Sequence, residues 1–176
     1  ERREGVFLTL HVDMLRRLQK DRSFYDLLPY FDLVTCDSQI LYLAAKMLGQ
    51  PVPERVSGSD YLPAFYRKYA NDPSVTMFLC GAEPGVAERA AEKINAKAGR
   101  EIVVGTYSPP YGFDEDPDEV ERTIKLINES RATVLVVGLG APRQEQFIFS
   151  HRDRFEHAKL LLPLGGTIEY EAGRVR

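Results

Sequence analysis

Thr133-Val134-Leu135-Val136-Val137-Gly138-Leu139-Gly140-Ala141-Pro142-Arg143-Gln144-Glu145 sets a β-branched, apolar run directly against a glycine-rich turn that ends in a proline. A run this short and this apolar reads as a strand buried on both faces. Gly138 and Gly140 permit a tight turn and close backbone approach, and Pro142 suits the first turn of a helix. Strand, glycine turn and helix in that order form the repeating unit of a parallel α/β sheet.

Working outward, five further runs have the same character: Val6 to Leu10, Leu33 to Cys36, Val75 to Cys80, Ile102 to Val104 and Lys159 to Leu164. Helical patterns lie between most of them, at Gln39 to Leu48, Asp60 to Tyr69, Gly85 to Ala98 and Asp118 to Glu129. In the third of these Val86, Ala90, Ile94 and Ala98 recur every fourth residue, which marks an amphipathic crossover helix. The expectation is an α/β fold with a Rossmann-like, mainly parallel sheet of about six strands and helices on both faces. A chain of 176 residues suits one domain, residues 1–176, able to bury its own core. Ser108 to Pro117, with three prolines, Gly112 and three acids, reads as an exposed loop.

Open parallel sheets bind ligands beyond the carboxyl ends of their strands. The residues following each run are therefore the candidate site. Thr9 and His11 close the first run, and Asp37 follows the second. The third is followed by Gly81-Ala82-Glu83-Pro84-Gly85, the fifth by Gly138 and Gly140, and the sixth by Gly165 and Gly166. Gly81 to Gly85 leads into a helix, so it is either a phosphate site built on free N–H groups and the helix dipole or a plain strand-to-helix turn. Asp37 is either a helix cap or a general base. Thr9 and His11 either serve the site or satisfy nearby backbone groups. Arg55 and Arg143 have the forked geometry that suits a diphosphate, unless they are simply solvated, and Gln144 projects near the same rim.

Composition excludes several classes. With 23 basic and 26 acidic residues the net charge is −3, which supplies no broad field for nucleic acid, so none is expected as a partner. Two cysteines, Cys36 and Cys80, read as free buried thiols, and with three histidines they lack the spacing of a zinc site. No run approaches the roughly 20 apolar residues of a membrane span, and no leader pattern opens the chain. The turns match neither the dinucleotide G-x-G-x-x-G fingerprint nor the phosphate-binding P-loop, which argues against a nicotinamide-dependent oxidoreductase. No D-x-D metal motif occurs, and Asp114-Glu115-Asp116 reads as solvated acids; neither a metal nor a cofactor is expected.

Three segments in order resemble a known family. Pro53-Glu54-Arg55-Val56-Ser57-Gly58-Ser59-Asp60 is similar to P-E-R-V-x-G-x-D, and Gly138 through Glu145 is similar to G-x-G-x-P-[KR]-Q-E. Gly165-Gly166-Thr167-Ile168-Glu169 through Ala172-Gly173 is similar to G-[GA]-x-[FI]-[DE]…A-G. The family is the WecG/TagA/CpsF group of bacterial glycosyltransferases, and the likeness runs over nearly the whole chain. It implies an inverting enzyme that moves a hexose or N-acetylhexosamine-type sugar, such as N-acetylmannosamine, from a UDP donor to a polyprenyl-diphosphate-linked sugar. The products would be teichoic acid, enterobacterial common antigen or exopolysaccharide.

Under the resemblance Asp37 falls on the family's proposed base, in its P-D-G segment. Thr9 falls on the threonine of T-P-N, with His11 in place of its asparagine, and Arg55 and Gln144 match residues proposed to contact substrate. This chain reads Thr9-Leu10-His11 and Cys36-Asp37-Ser38 in those two segments, so an imidazole replaces an amide and a turn glycine is lost. Family members continue into a basic, aromatic C-terminal appendage that binds the inner membrane surface. A chain opening at Glu1 and stopping at Arg176 is expected to be a cut from such a protein, cytoplasmic and peripheral to the inner face of the plasma membrane. Homo-oligomerisation is left open. The alternative reading is a nucleotide-sugar-binding module that has lost catalysis.

Overall fold

The computed structural model describes residues 5–174; Glu1 and Arg176, the two ends read as cuts, lie outside the described residues. In chain order the elements are β1 (Gly5–Leu10), α1 (Val12–Leu18), α2 (Arg22–Tyr25), β2 (Leu33–Cys36), α3 (Gln39–Met47), α4 (Gly58–Lys68), β3 (Met77–Gly81) and α5 (Val86–Ala98). They continue with β4 (Val103–Tyr107), α6 (Pro117–Glu129), β5 (Val134–Gly138), α7 (Arg143–His151), β6 (Leu160–Pro163) and α8 (Thr167–Glu171). The strands form one sheet in the order β2-β1-β6-β5-β3-β4, with every pairing parallel.

Successive strand residues point to opposite faces, so the quoted run feeds two cores. Leu135 and Val137 pack with Met14 and Phe24 from α1 and α2, Ile124 from α6 and Ile148 from α7. Val134 and Val136 pack on the other face with Leu62 of α4, Ala90 and Ile94 of α5 and Ile168 of α8. The sheet is thus covered on both faces, as the sequence pattern implies. Burying each such large aliphatic side chain favours folding by about 1.5–3 kcal/mol.

Several sequence expectations are corrected. The fourth strand begins at Val103 and runs to Tyr107, beyond the apolar run. As an edge strand it needs no continuous apolar face; its start is set by Asn95, whose Oδ1 accepts from the N–H of Ile102 and Val103. The segment Ser108 to Pro117 is not wholly exposed, because Phe113 is buried against the core in a short 3-10 turn. Cys36 and Cys80 are both free, but Cys36 is only half-buried; burial of Cys80 pushes its thiol up to about 12. Helices α1, α2, α7 and α8 complete the set.

The chain runs from β1 out to the β2 edge, crosses to β3 and the β4 edge, then returns through β5 and β6 to the centre. The carboxyl ends of β1, β5 and β6 therefore meet where the winding changes direction, the position at which open sheets form a crevice.

Candidate functional site

Asp37 leaves the end of β2 with its N–H bonded to Leu10 O at 2.8 Å. It is not the cap of α3. Ser38 takes that role, its Oγ accepting from Leu41 N at 3.3 Å, so the Asp37 carboxylate is free for the rim. Asp37 Oδ2 accepts from the N–H of Gly58 at 3.3 Å, at the first residue of α4, and Oδ1 lies 4.0 Å from the Arg55 guanidinium. Its side chain is 26% exposed. Partial burial raises the Asp37 carboxyl above the ordinary range, and the Gly58 N–H, His11 and Arg55 oppose that rise.

Arg55 reaches this position through a backbone pairing. Cys36 and Arg55 form a parallel bridge, and Val56 N–H bonds Cys36 O at 3.0 Å. The following turn is capped by Ser57, whose Oγ accepts from Asp60 N at 3.1 Å and donates to Asp60 Oδ2 at 2.6 Å. Asp60 also holds Arg55, 3.4 Å away. The P-E-R-V-S-G-S-D segment thus aligns a helix N-terminus and a guanidinium on one carboxylate.

A cleft of about 400 Å³ opens in front of Asp37. Thr9, His11, Gln144, Gly140, Gly165 and Gly166 all line it, so most of the residues singled out in the sequence are brought together. His11 also caps α1, its Nδ1 accepting from Met14 N at 3.4 Å. Arg55 stands behind Asp37, outside the lining.

A second cleft, of about 560 Å³, shares Gly140, Gly165 and Gly166 with the first and extends toward β4. Gly138 lines it together with Pro109, Pro110, Tyr111 and Arg143. The Arg143 guanidinium lies 4.6 Å from the Tyr111 ring centroid and 3.4 Å from Asp114. Tyr111 was hidden in the sequence by its proline-rich surroundings.

Gly81 lines neither cleft. Its φ is +121°, and a Cβ there would stand 2.3 Å from Gly138 O, so its role is close backbone packing. A Cβ on Gly138 would in turn meet Gly165 O at 2.8 Å. The three glycines let the ends of β3, β5 and β6 approach one another. Where the Gly81 to Gly85 turn enters α5, Val86 N–H bonds Glu83 O at 3.0 Å.

Gln144 and Glu145, in the first turn of α7, are buried. Gln144 Oε1 accepts from Gly165 N at 3.1 Å, and its Nε2 donates to Glu145 Oε1 at 2.8 Å. Burial raises the Glu145 carboxyl, opposed by the Gln144 bond, by its own backbone N–H and by Arg17. Glu145 was missed in the sequence, where an acid in a helix first turn reads as a dipole complement. Among the described residues, no group of three or more His, Cys, Asp or Glu side chains is gathered closely enough to hold a metal ion. Likewise, no described helix is long and apolar enough to cross a membrane.

Comparison with known proteins gives this geometry a setting. The chain is similar to the N-acetylglucosaminyldiphosphoundecaprenol N-acetyl-beta-D-mannosaminyltransferase of Bacillus subtilis (strain 168), 26% identical over 172 residues, covering 98% of this chain and 64% of the relative. It is similar to the protein of the same name from Staphylococcus aureus (strain MRSA252), 24% identical over 166 residues, covering 94% of this chain and 62% of the relative. The chain thus spans a little under two thirds of the length of these curated relatives. Its residues 1–176 match the family described as "Glycosyl transferase WecG/TagA/CpsF family", and the chain belongs to that family.

Proposed function

We propose that this chain is the catalytic core of an inverting glycosyltransferase that moves a hexose or N-acetylhexosamine-type sugar from a UDP donor to a polyprenyl-diphosphate-linked sugar. The observation that carries this reading is the half-buried Asp37 at the wall of one cleft, with a second cleft joined to it through Gly140, Gly165 and Gly166. The names of the relatives, which specify transfer of an N-acetylmannosaminyl group to an undecaprenol-linked acceptor, support the substrate class.

The nucleotide occupies the second cleft. Pro109, Pro110 and Tyr111 offer an apolar wall to a base, and Arg143 offers a fork to the diphosphate. The acceptor hydroxyl enters the first cleft beside Asp37. The Asp37 carboxylate takes the hydroxyl proton as the oxygen attacks the anomeric carbon, opposite the UDP. The bond from that carbon to the diphosphate oxygen breaks, UDP leaves with the electron pair, and the single displacement inverts the configuration. Arg55 and the Gly58 N–H keep Asp37 ionised and oriented. Arg143 and backbone N–H groups at the shared glycine wall meet the charge of the leaving group. The acceptor's lipid would bring the protein to the inner membrane surface. Turnover is expected to survive EDTA.

Asp37→Asn in the full-length protein tests the base. Turnover should fall by about a hundredfold or more, with UDP affinity in calorimetry unchanged; near-wild-type turnover would remove Asp37 from that role. The alternative, a binding module without catalysis, draws on the use of His11 as a helix cap where the family carries asparagine. Donor binding by the wild-type protein with no transfer to any lipid-linked acceptor would favour it.

A further inference from the structure

We infer that Glu145 is a positioning residue for the transfer, fixing the Gln144 carboxamide that holds the Gly165 loop shared by both clefts. The inference rests on the transferase reading above.

Glu145 is 0% exposed, and its Oε2 has no hydrogen-bond partner among the described residues. A buried carboxyl so sparsely bonded opposes folding, and a leucine there would pack without that cost. The side chain it does bind is Gln144, through Nε2 to Oε1 at 2.8 Å. A carboxamide has a donor end and an acceptor end of nearly equal shape, so its partners decide which way it faces. On one side the Gly165 N–H can only donate, and it meets Gln144 Oε1 at 3.1 Å. On the other, Glu145 Oε1 accepts. The two partners together permit one orientation.

That orientation governs the site in two ways. It ties α7 to Gly165, which has φ +53° and lines both clefts, so the wall between them depends on this bond. It also leaves the second Nε2 hydrogen of Gln144, itself a lining residue of the Asp37 cleft, available for a substrate oxygen. Without Glu145 only the Gly165 bond opposes a turn of the amide, which would present an acceptor where the reaction needs a donor and release Gly165.

The test compares Glu145→Leu and Glu145→Gln in the full-length protein by kcat, KM, melting temperature and the side-chain amide NMR signals of Gln144. Glu145→Leu should lower kcat about tenfold to a hundredfold through misplacement of the reacting groups, with a melting temperature equal to or above that of the wild type. Glu145→Gln keeps a carbonyl acceptor and should restore most of the rate. In the wild type the two Gln144 amide protons should give separate, slowly exchanging signals that change in the leucine variant and not in the glutamine variant. Wild-type kcat in Glu145→Leu would overturn the inference, as would parallel loss of kcat and melting temperature that glutamine fails to restore. If the wild-type protein transfers no sugar, the transferase reading falls, and the amide signals still report separately whether Glu145 holds Gln144.

Discussion

Asp37 and Glu145 are both carboxyls raised by burial, yet their surroundings give them different work. Asp37 faces a cleft and is supported by a helix N-terminus and a guanidinium, which suits a group that must lose and regain a proton. Because burial raises its carboxyl, the base form is lost earlier as pH falls, and the acid limb of kcat/KM should lie above the ordinary Asp value of about 3.9. Arg55 opposes that rise, so Arg55→Ala should move the limb to higher pH; a move to lower pH would contradict the pairing. Glu145 has no such access to solvent. Its folded-state carboxyl titrates above the unfolded one, so between those two values the native state keeps a proton that the unfolded chain releases. Stability then falls as pH rises through that window. Glu145→Gln lacks the drop and should melt higher than wild type at pH 8, with the gap closing toward pH 4; a gap independent of pH would show that the acid is not paying a desolvation cost in the native state.

At the scale of elements, the glycines at the strand ends divide into those that shape a cleft and those that join strands. Gly81→Ala would place a Cβ 2.3 Å from Gly138 O at φ +121°, and should cost about 3 kcal/mol or more in urea unfolding. Gly140 lines both clefts with open space where its Cβ would stand, so Gly140→Ala should bear the smaller cost of its positive φ alone. Equal losses would mean that the close approach at Gly81 is relieved by a small shift. The sequence made this division unreadable, since both glycines follow apolar strands. It made β3, β5 and β6 readable because they are buried on both faces and carry unbroken apolar runs. The β4 edge strand carried that signal only over Ile102 to Val104, so its extent to Tyr107 was not readable, and its start depends on Asn95, a residue of the preceding helix. Asp37, Gln144 and the shared glycines could be placed at the rim because each follows a strand, and Thr9 because it stands near the end of one. Arg55 joins Asp37 through a bridge to Cys36, a pairing that no local pattern encodes.

For the whole molecule, the strand order sends two halves of the chain to opposite edges and brings β5 and β6 back between them. The first cleft is therefore built mainly on β1, β2 and β6 and the second on β3, β4 and β5, with the β5 and β6 turns common to both. Substitutions in one cleft should affect one substrate: Arg143→Ala should weaken UDP binding about tenfold, the loss of one charged hydrogen bond, while leaving the KM for acceptor unchanged. A weakened acceptor with intact UDP affinity would reverse the assignment of the two clefts. One face of the molecule lies apart from both. Helix α3 buries none of its residues and leaves Ile40 and Met47 exposed by 71% and 88%, with Leu48 just after it exposed by 78%.

The most direct test of the central claim is the anomeric configuration of the product, read by NMR after incubating the full-length protein with α-linked UDP-N-acetylhexosamines and a short-chain polyprenyl-diphosphate N-acetylglucosamine. A β-linked disaccharide, formed by the wild type and lost in Asp37→Asn, is the expected result. An α-linked product, or β-linked product formed equally well without the Asp37 carboxylate, would contradict a single displacement with Asp37 as base.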